Sequence, residues 1–423
     1  MKMKKVLCAV TALLITLLPL TVAYSAPDGD IEALRGSTLY VYNWGEYISD
    51  GADGTVDVNA EFTKKYGIKV VYDTYDNNEV MYSKLKGGGV SYDIVIPSDY
   101  MIERMINEDM LEKINFDNIP NFKYIPEKYR NLDYDPTGEY SVPYTVSYVG
   151  LIYNTKMVEE APDSWKALWD ERYTNNILMF NNPRDAFAIA QSILGQDYNM
   201  DTEEGWRVAA ALLKEQKSVN PVYVNDEVFL KMEAGEAALA PYYVGDYFLM
   251  KENNDDLAFV YPKEGVNYFV DAACILKGAK NKRAAELYLD FINEPEIALA
   301  NAEYIAYGSP NSAVYDNPDY EYYENELLYP EEGAFKTQLF KNLPPNILAL
   351  QSSLWDDVKN YNATAASSER ALFFGDSTQN NTDNGEAMTP VTIKYGICIG
   401  VFLLLCLAYV IFRTIRKKHR EQY

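Results

Sequence analysis

Residues able to hold a charged guest cluster in one short stretch, Trp44-Gly45-Glu46-Tyr47. They follow Leu39 to Tyr42, whose β-branched and aromatic residues predict a short buried strand, broken by Asn43 and Gly45. A loop at the carboxyl end of a strand gives aromatic rings little core to pack into, but it is where open α/β sheets bind ligands. Two rings beside a carboxylate suit a cation with an apolar body. Each ring face attracts positive charge by about 0.5–2 kcal/mol, and the carboxylate adds a charge-assisted hydrogen bond. The alternative is that both rings are ordinary packing at a domain edge.

Three further positions carry similar chemistry. Asp271 lies inside the aromatic and apolar stretch Asn267 to Ile275, where a carboxylate without a partner is costly. Its structural alternative is an acid bonded to backbone N–H groups. Asp185 follows Asn181-Asn182-Pro183-Arg184 at the start of a helix predicted to run through Leu194. There it is either a ligand anchor or a first-turn acid favoured by the helix dipole. Pro97-Ser98-Asp99-Tyr100 ends another predicted strand, with a plain turn as its alternative.

The elements that must position these residues follow from periodicity. Val56 to Tyr66 reads as a helix stopped by Gly67, and Ile68 to Tyr72 as a strand. Asp76-Asn77-Asn78-Glu79 has the form of a capping box opening a helix through Lys86. Gly87-Gly88-Gly89 reads as a turn, since a phosphate cradle would need a lysine and a strand–loop–helix order. With Tyr92 to Ile96 as the third strand, the βαβαβ order predicts a parallel sheet with Trp44 and Tyr100 on one rim. Further strands are expected at Tyr148 to Tyr153, Ile177 to Phe180, Ala237 to Tyr243 and Asn267 to Ile275. Helices are expected at Asp163 to Glu171 and Ala279 to Asn293, and a turn at Tyr307 to Asn311. A body of this length needs two lobes.

Both termini read as membrane signals. Lys2, Lys4 and Lys5 precede an apolar run from Val6 to Val22, and Ala23-Tyr24-Ser25 supplies small residues for cleavage after Ser25. An uncleaved anchor is the alternative. Residues 395–412 are uncharged and long enough to span a bilayer. The basic tail 413–423, with Arg413, Arg416, Lys417, Lys418 and Arg420, places the C-terminus in the cytoplasm. The Ser-, Asn- and Thr-rich segment 375–390 reads as a flexible stalk. The body is therefore expected outside the cytoplasm, anchored in the cell membrane by a C-terminal helix.

Between the termini, 29 basic residues face 61 acidic ones, about −32. That charge argues against nucleic acid as a partner, since phosphates need a basic surface; it fits a cationic ligand, though a solvated surface explains most of it. Only Cys274 of the four cysteines lies in the body, so no internal disulfide is possible there. The single histidine, His419, lies in the basic tail, which excludes a His-based metal site or a Ser-His triad in the body. No cofactor is expected.

From about Thr38 to Lys359 the chain resembles the spermidine/putrescine-binding proteins, the extracytoplasmic receptors of polyamine ABC importers. The motifs are Tyr40-Val41-Tyr42-Asn43-Trp44-Gly45-Glu46-Tyr47, Asn78-Glu79-Val80-Met81-Tyr82-Ser83-Lys84-Leu85, Tyr92-Asp93-Ile94-Val95-Ile96-Pro97-Ser98, Val142-Pro143-Tyr144, Tyr261-Pro262-Lys263-Glu264-Gly265 and Leu328-Tyr329-Pro330. The resemblance implies a two-lobed periplasmic-binding-protein fold, α/β, with chain crossings near Tyr144 and Phe269 and ligand held between lobes. Lobe 1 would comprise 38–144 and 271–318, and lobe 2 145–270 and 319–359. The family's aromatic box and acids would fall on Trp44, Tyr47, Ser98, Tyr100, Tyr243, Phe269, Asp271 and Tyr307, with Asp185 as second carboxylate and Glu46 and Asn182 at motif positions. Its partners would be putrescine or spermidine and membrane permease subunits, with the receptor itself a monomer. Gly45 replaces a hydroxyl residue, Tyr243 and Phe269 stand where tryptophans are usual, and Asn182 stands where an acid is common. No glutamine stands near Lys341 at the place where the family often has one. The missing acid argues against a strict triamine preference and leaves a diamine, or a broader polyamine range. Readings from other classes are a membrane-tethered sensor, and a glycan-acting enzyme using Glu46 and Asp271 as paired carboxylates.

Overall fold

The computed structural model describes residues 27–362 and Phe373. The leader 1–25, stalk 375–390, membrane segment 395–412 and tail 413–423 lie outside the described residues. Among the described residues no helix is long and apolar enough to cross a membrane.

After a short helix α1 (Pro27–Glu32), β1 spans Thr38–Trp44. The strand runs past the expected break, because Asn43 and Trp44 remain in register with Thr74 and Tyr75 of the neighbouring strand. The buried Asn43 side chain turns the chain after it: its Oδ1 accepts from the Trp44 N–H (2.9 Å) and its Nδ2 donates to the Tyr47 carbonyl (3.4 Å). Next come α2 (Val58–Tyr66), β2 (Lys69–Tyr75) and α3 (Asn78–Gly87). Helix α2 starts two residues later than its periodicity suggests because the Asp57 side chain caps it, accepting from the Ala60 N–H. The cap of α3 is Asn77 rather than Asp76, which frees Glu79 to accept from the Tyr100 hydroxyl at 2.9 Å.

The chain continues through β3 (Ile94–Val95), α4 (Asp99–Asn107) and β4 (Leu111–Glu112) into the long β5 (Ser141–Asn154). The expected helix at Asp163 to Glu171 is instead a 3₁₀ segment, Trp165–Trp169, capped by Ser164. Its tryptophans are fully buried, and their indole N–H groups donate to the carbonyls of Gly265 and Leu212. Then follow β6 (Leu178–Phe180), α5 (Pro183–Leu194), α6 (Glu203–Gln216), β7 (Val222–Val224), α7 (Glu227–Glu233), β8 (Leu239–Tyr243), α8 (Val244–Asn253), β9 (Leu257–Val260) and β10 (Val266–Leu276). The last elements are α9 (Lys282–Phe291), α10 (Pro295–Ile305), α11 (Ser312–Tyr315), β11 (Thr337–Gln338) and α12 (Pro345–Asn360).

The main sheet runs β2-β1-β3-β10-β5-β8. Strand β1 is parallel to β2 and β3, as the βαβαβ order requires, whereas β10 is antiparallel to β3 and β5. The two longest strands make the join. The first half of β5 pairs with β10 through Tyr148, and its second half pairs with β8 and β9. Along β1 and β3 successive side chains enter opposite cores, as a period of two demands. Val41 and Ile94 pack with Phe62, Leu289 and Phe291, while Tyr42 and Val95 pack with Met81, Met101 and Met105. Both faces of the parallel part are therefore covered.

One irregularity bears on function. Thr145 pairs with Asp271 but Pro143 pairs with Ala272, so Tyr144 is the extra residue of a β-bulge. Bulges re-aim neighbouring side chains and increase local twist.

Candidate ligand-binding cleft

All eleven residues singled out from the sequence line one cavity of about 750 Å³. Trp44 ends β1, and Glu46 and Tyr47 occupy the loop behind it. Ser98 and Tyr100 sit at the start of α4, Asn182 and Asp185 at the start of α5, and Tyr243 ends β8. Phe269 and Asp271 project from β10 beside the bulge, and Tyr307 comes from the turn after α10. Thus Trp44, Asp185 and Asp271 face a shared hollow.

Asp271 is 3% exposed. Its Oδ2 accepts from the Tyr47 hydroxyl at 2.8 Å, while its buried Oδ1 has no partner. The same Tyr47 hydroxyl lies 2.5 Å from Thr145 Oγ1. Burial pushes the Asp271 carboxyl up to about 6. Asp185, 4% exposed, accepts from Asn182 Nδ2 at 2.7 Å and from the Tyr243 hydroxyl at 2.9 Å. Burial raises it to about 7. Asn182 therefore orients the neighbouring acid, and its Oδ1 also caps α5 through the Arg184 N–H.

A third acid was not picked out from the sequence. Asp246, in the first turn of α8, lines the cavity and accepts from the Tyr307 hydroxyl at 3.0 Å; burial raises it to about 8. Its signal is its place, three residues past the end of β8, which is where α/β sheets present ligand groups. Glu79 reaches the cavity as well, through its bond with Tyr100.

The rings form a wall. Tyr243 meets Phe269 edge-on at 5.4 Å, Phe269 meets Tyr307 at 6.4 Å, and Tyr307 meets Tyr47 at 5.2 Å and 88°. Trp44 packs on Tyr75 at 4.7 Å, and its buried Nε1 has no hydrogen-bond partner. Glu46 sits exposed at the mouth in a left-handed conformation, φ 51°. A Cβ added at Gly45 would meet nothing within 4 Å, so the absent hydroxyl leaves open space.

Two features could not be read locally. Arg184 is buried in the cavity wall, stacked on Phe340 (4.5 Å) and near Tyr100 (5.7 Å), with Nη2 donating to Asn199 Oδ1 and the Lys341 carbonyl. Burial lowers its guanidinium to about 10. Gln338 is the nearest glutamine to Lys341, but its side chain bonds the backbone of Tyr198 and Gln196, and Phe340 lines the cavity instead.

The arrangement suits an elongated cation. The buried carboxylates Asp185 and Asp271 and the half-buried Asp246, whose hydrogen-bond donors are neutral hydroxyl and amide groups, favour a ligand that brings positive charge, and the rings accept its apolar stem. Among the described residues no group of three or more metal-ligating side chains could hold a metal ion.

Residues 58–327 match the family model described as bacterial extracellular solute-binding protein. The spermidine/putrescine-binding periplasmic protein of Salmonella typhimurium is 33% identical over 332 residues, covering 77% of this chain and 93% of that protein. The putrescine-binding periplasmic protein PotF of Escherichia coli is 28% identical over 355 residues, covering 78% and 93%. Among solved structures, the putative spermidine/putrescine ABC transporter protein of Listeria monocytogenes superposes with a TM-score of 0.72 at 33% identity, covering 77% of this chain and 100% of that one. The PotD substrate-binding protein of Streptococcus pneumoniae superposes with a TM-score of 0.66 at 32% identity, covering 77% and 99%.

Proposed function

Because this chain belongs to the bacterial extracellular solute-binding proteins, alongside the spermidine/putrescine-binding periplasmic proteins, we propose that it captures a linear polyamine outside the cytoplasm and delivers it to an ABC import permease. Its fold is the two-lobed α/β periplasmic-binding-protein fold. We assign lobe 1 to 38–144 with 271–318, and lobe 2 to 145–270 with 319–359. The carrying observation is that Asp185, Asp246 and Asp271 line one ring-walled cavity and are raised well above the usual carboxylate range.

In this reading Asp185 and Asp271 fix ammonium groups near the two ends of the ligand, and Trp44, Tyr47, Tyr243, Phe269 and Tyr307 enclose the methylene chain. Lobe closure excludes water and strengthens each charge contact. Selectivity comes from the spacing of the acids, since an ammonium out of register leaves a buried carboxylate unpaired. Asp246 supplies a third acid where Asn182 has lost one, which supports a range wider than a single diamine. The receptor acts as a monomer, and the segment 395–412 tethers it beside the permease, raising its effective concentration there.

Titration calorimetry with putrescine, cadaverine, spermidine and spermine tests the proposal. A ranked preference, with at least one amine bound tightly, is the expected result. Equal or absent binding of all four overturns it. Deleting the protein should abolish polyamine uptake; a sensor without a transport role would leave uptake intact.

A further inference from the structure

Outside the cavity, a hydrogen-bonded relay reaches the loop that carries Tyr47. Asn301, on α10, is buried and uses both ends of its amide. Its Oδ1 accepts from the Ser49 N–H at 2.9 Å, and its Nδ2 donates to the Tyr144 hydroxyl at 2.6 Å. Tyr144, the extra residue of the β5 bulge, in turn donates to the Tyr47 carbonyl at 2.7 Å. Neither Asn301 nor Tyr144 lines the cavity.

The loop needs such a clamp. Glu46 holds a left-handed backbone at φ 51°, which costs a residue with a side chain on the order of 1–2 kcal/mol. The residues beyond it form no strand or helix of their own before Ala52. The relay fixes the backbone on both sides of Ile48, and so fixes the direction in which Tyr47 points.

We infer that Asn301 and Tyr144 are positioning residues for ligand capture: they hold the Tyr47 loop so that the Tyr47 hydroxyl meets Asp271. The clamp joins three separate parts of the fold. Asn301 comes from α10, Tyr144 from the strand that joins the two halves of the sheet, and Tyr47 from the loop after β1. Any bending of β5 at its bulge therefore moves the Tyr47 carbonyl directly.

The inference rests on the cleft being an amine site only for its binding readout. Asn301→Ala and Tyr144→Phe are each made in the native sequence and in a Tyr47→Phe background, and putrescine is titrated into all of them. Each is expected to weaken binding roughly tenfold in the native background, the worth of about one hydrogen bond. In the Tyr47→Phe background each is expected to cost less than about twofold, because the group they position is gone. Equal losses in both backgrounds, or no loss, overturn the inference. Tyr144→Phe decides the matter alone if Asn301→Ala does not fold.

A second arm needs no ligand. Amide hydrogen exchange over Asn43 to Asp50 should quicken roughly tenfold in either variant, and unchanged exchange overturns the relay. If the native protein binds no amine, the polyamine reading fails while this arm still decides the clamp.

Discussion

Tyr47 and Asp271 stand 224 residues apart in the chain, yet the hydroxyl of one donates to the carboxylate of the other at 2.8 Å. The bond ties the loop after β1 to strand β10 opposite the β5 bulge, and it leaves Asp271 Oδ1 without a protein partner. Removing the hydroxyl with Tyr47→Phe strands a buried carboxylate oxygen. A hydrogen bond to a charged group is worth about 1.5–3 kcal/mol, so amine affinity should fall roughly tenfold to a hundredfold by calorimetry. Unchanged affinity would show that the bond plays no part in binding.

The two anchors should move stability and affinity in opposite directions. Asp185→Asn and Asp271→Asn remove a desolvated charge, and each unit of raised pKa corresponds to about 1.4 kcal/mol. Ligand-free denaturant unfolding at pH 8 should therefore show a gain of about 1–3 kcal/mol for either variant. Amine binding should weaken at least tenfold.

The pH dependence has a defined sign. Asp271, Asp185 and Asp246 stand at about 6, 7 and 8, all raised from their unfolded values chiefly by burial. For a group raised on folding, the stabilising contribution is complete below the unfolded value, near 3.9, and is lost as pH rises through the folded value. Ligand-free stability should thus decline between about pH 4 and pH 8. Binding requires the ionised acids, so amine affinity should rise across about pH 5 to 8. Flat profiles for both would remove the three acids from the account.

Gly245 packs directly beneath Tyr307, where an added Cβ would lie 2.1 Å from Cδ2 of the ring. Gly245→Ala should push the ring out of the wall and break its bond to Asp246. Overpacking of this kind costs typically 1–3 kcal/mol, and amine affinity should drop about tenfold with it. A crystal structure of the variant with Tyr307 unmoved would contradict this.

Gly45 offers the reverse case. Open space surrounds its missing side chain, so Gly45→Ser should fold normally and add a hydroxyl at the cavity rim. One further hydrogen bond is worth about 0.5–1.5 kcal/mol, enough to tighten at least one amine by a few-fold in titration. Tightening of none of the four, or loss of folding, would argue against a free rim at this position.

Local chemistry in the sequence determined much of this molecule. The alternating strands around Val41 and Ile94, the helix opened by Pro183 and the placing of Trp44, Ser98 and Asp185 at element ends all follow from residues close together in the chain. Those signals suffice because a ligand loop inherits its position from the strand or helix beside it.

Tertiary structure decided the rest. Asn43 stays in β1 because β2 pairs with it, and the helix expected at Asp163 to Glu171 is a short 3₁₀ segment because two tryptophans are drawn into the core. Asp246 enters the cavity, Gln338 turns away from it and Arg184 is buried in its wall. Each outcome depends on partners far away in the chain, and no local pattern reports the cost of burying a charge or the worth of a bond that closes only when two distant segments meet.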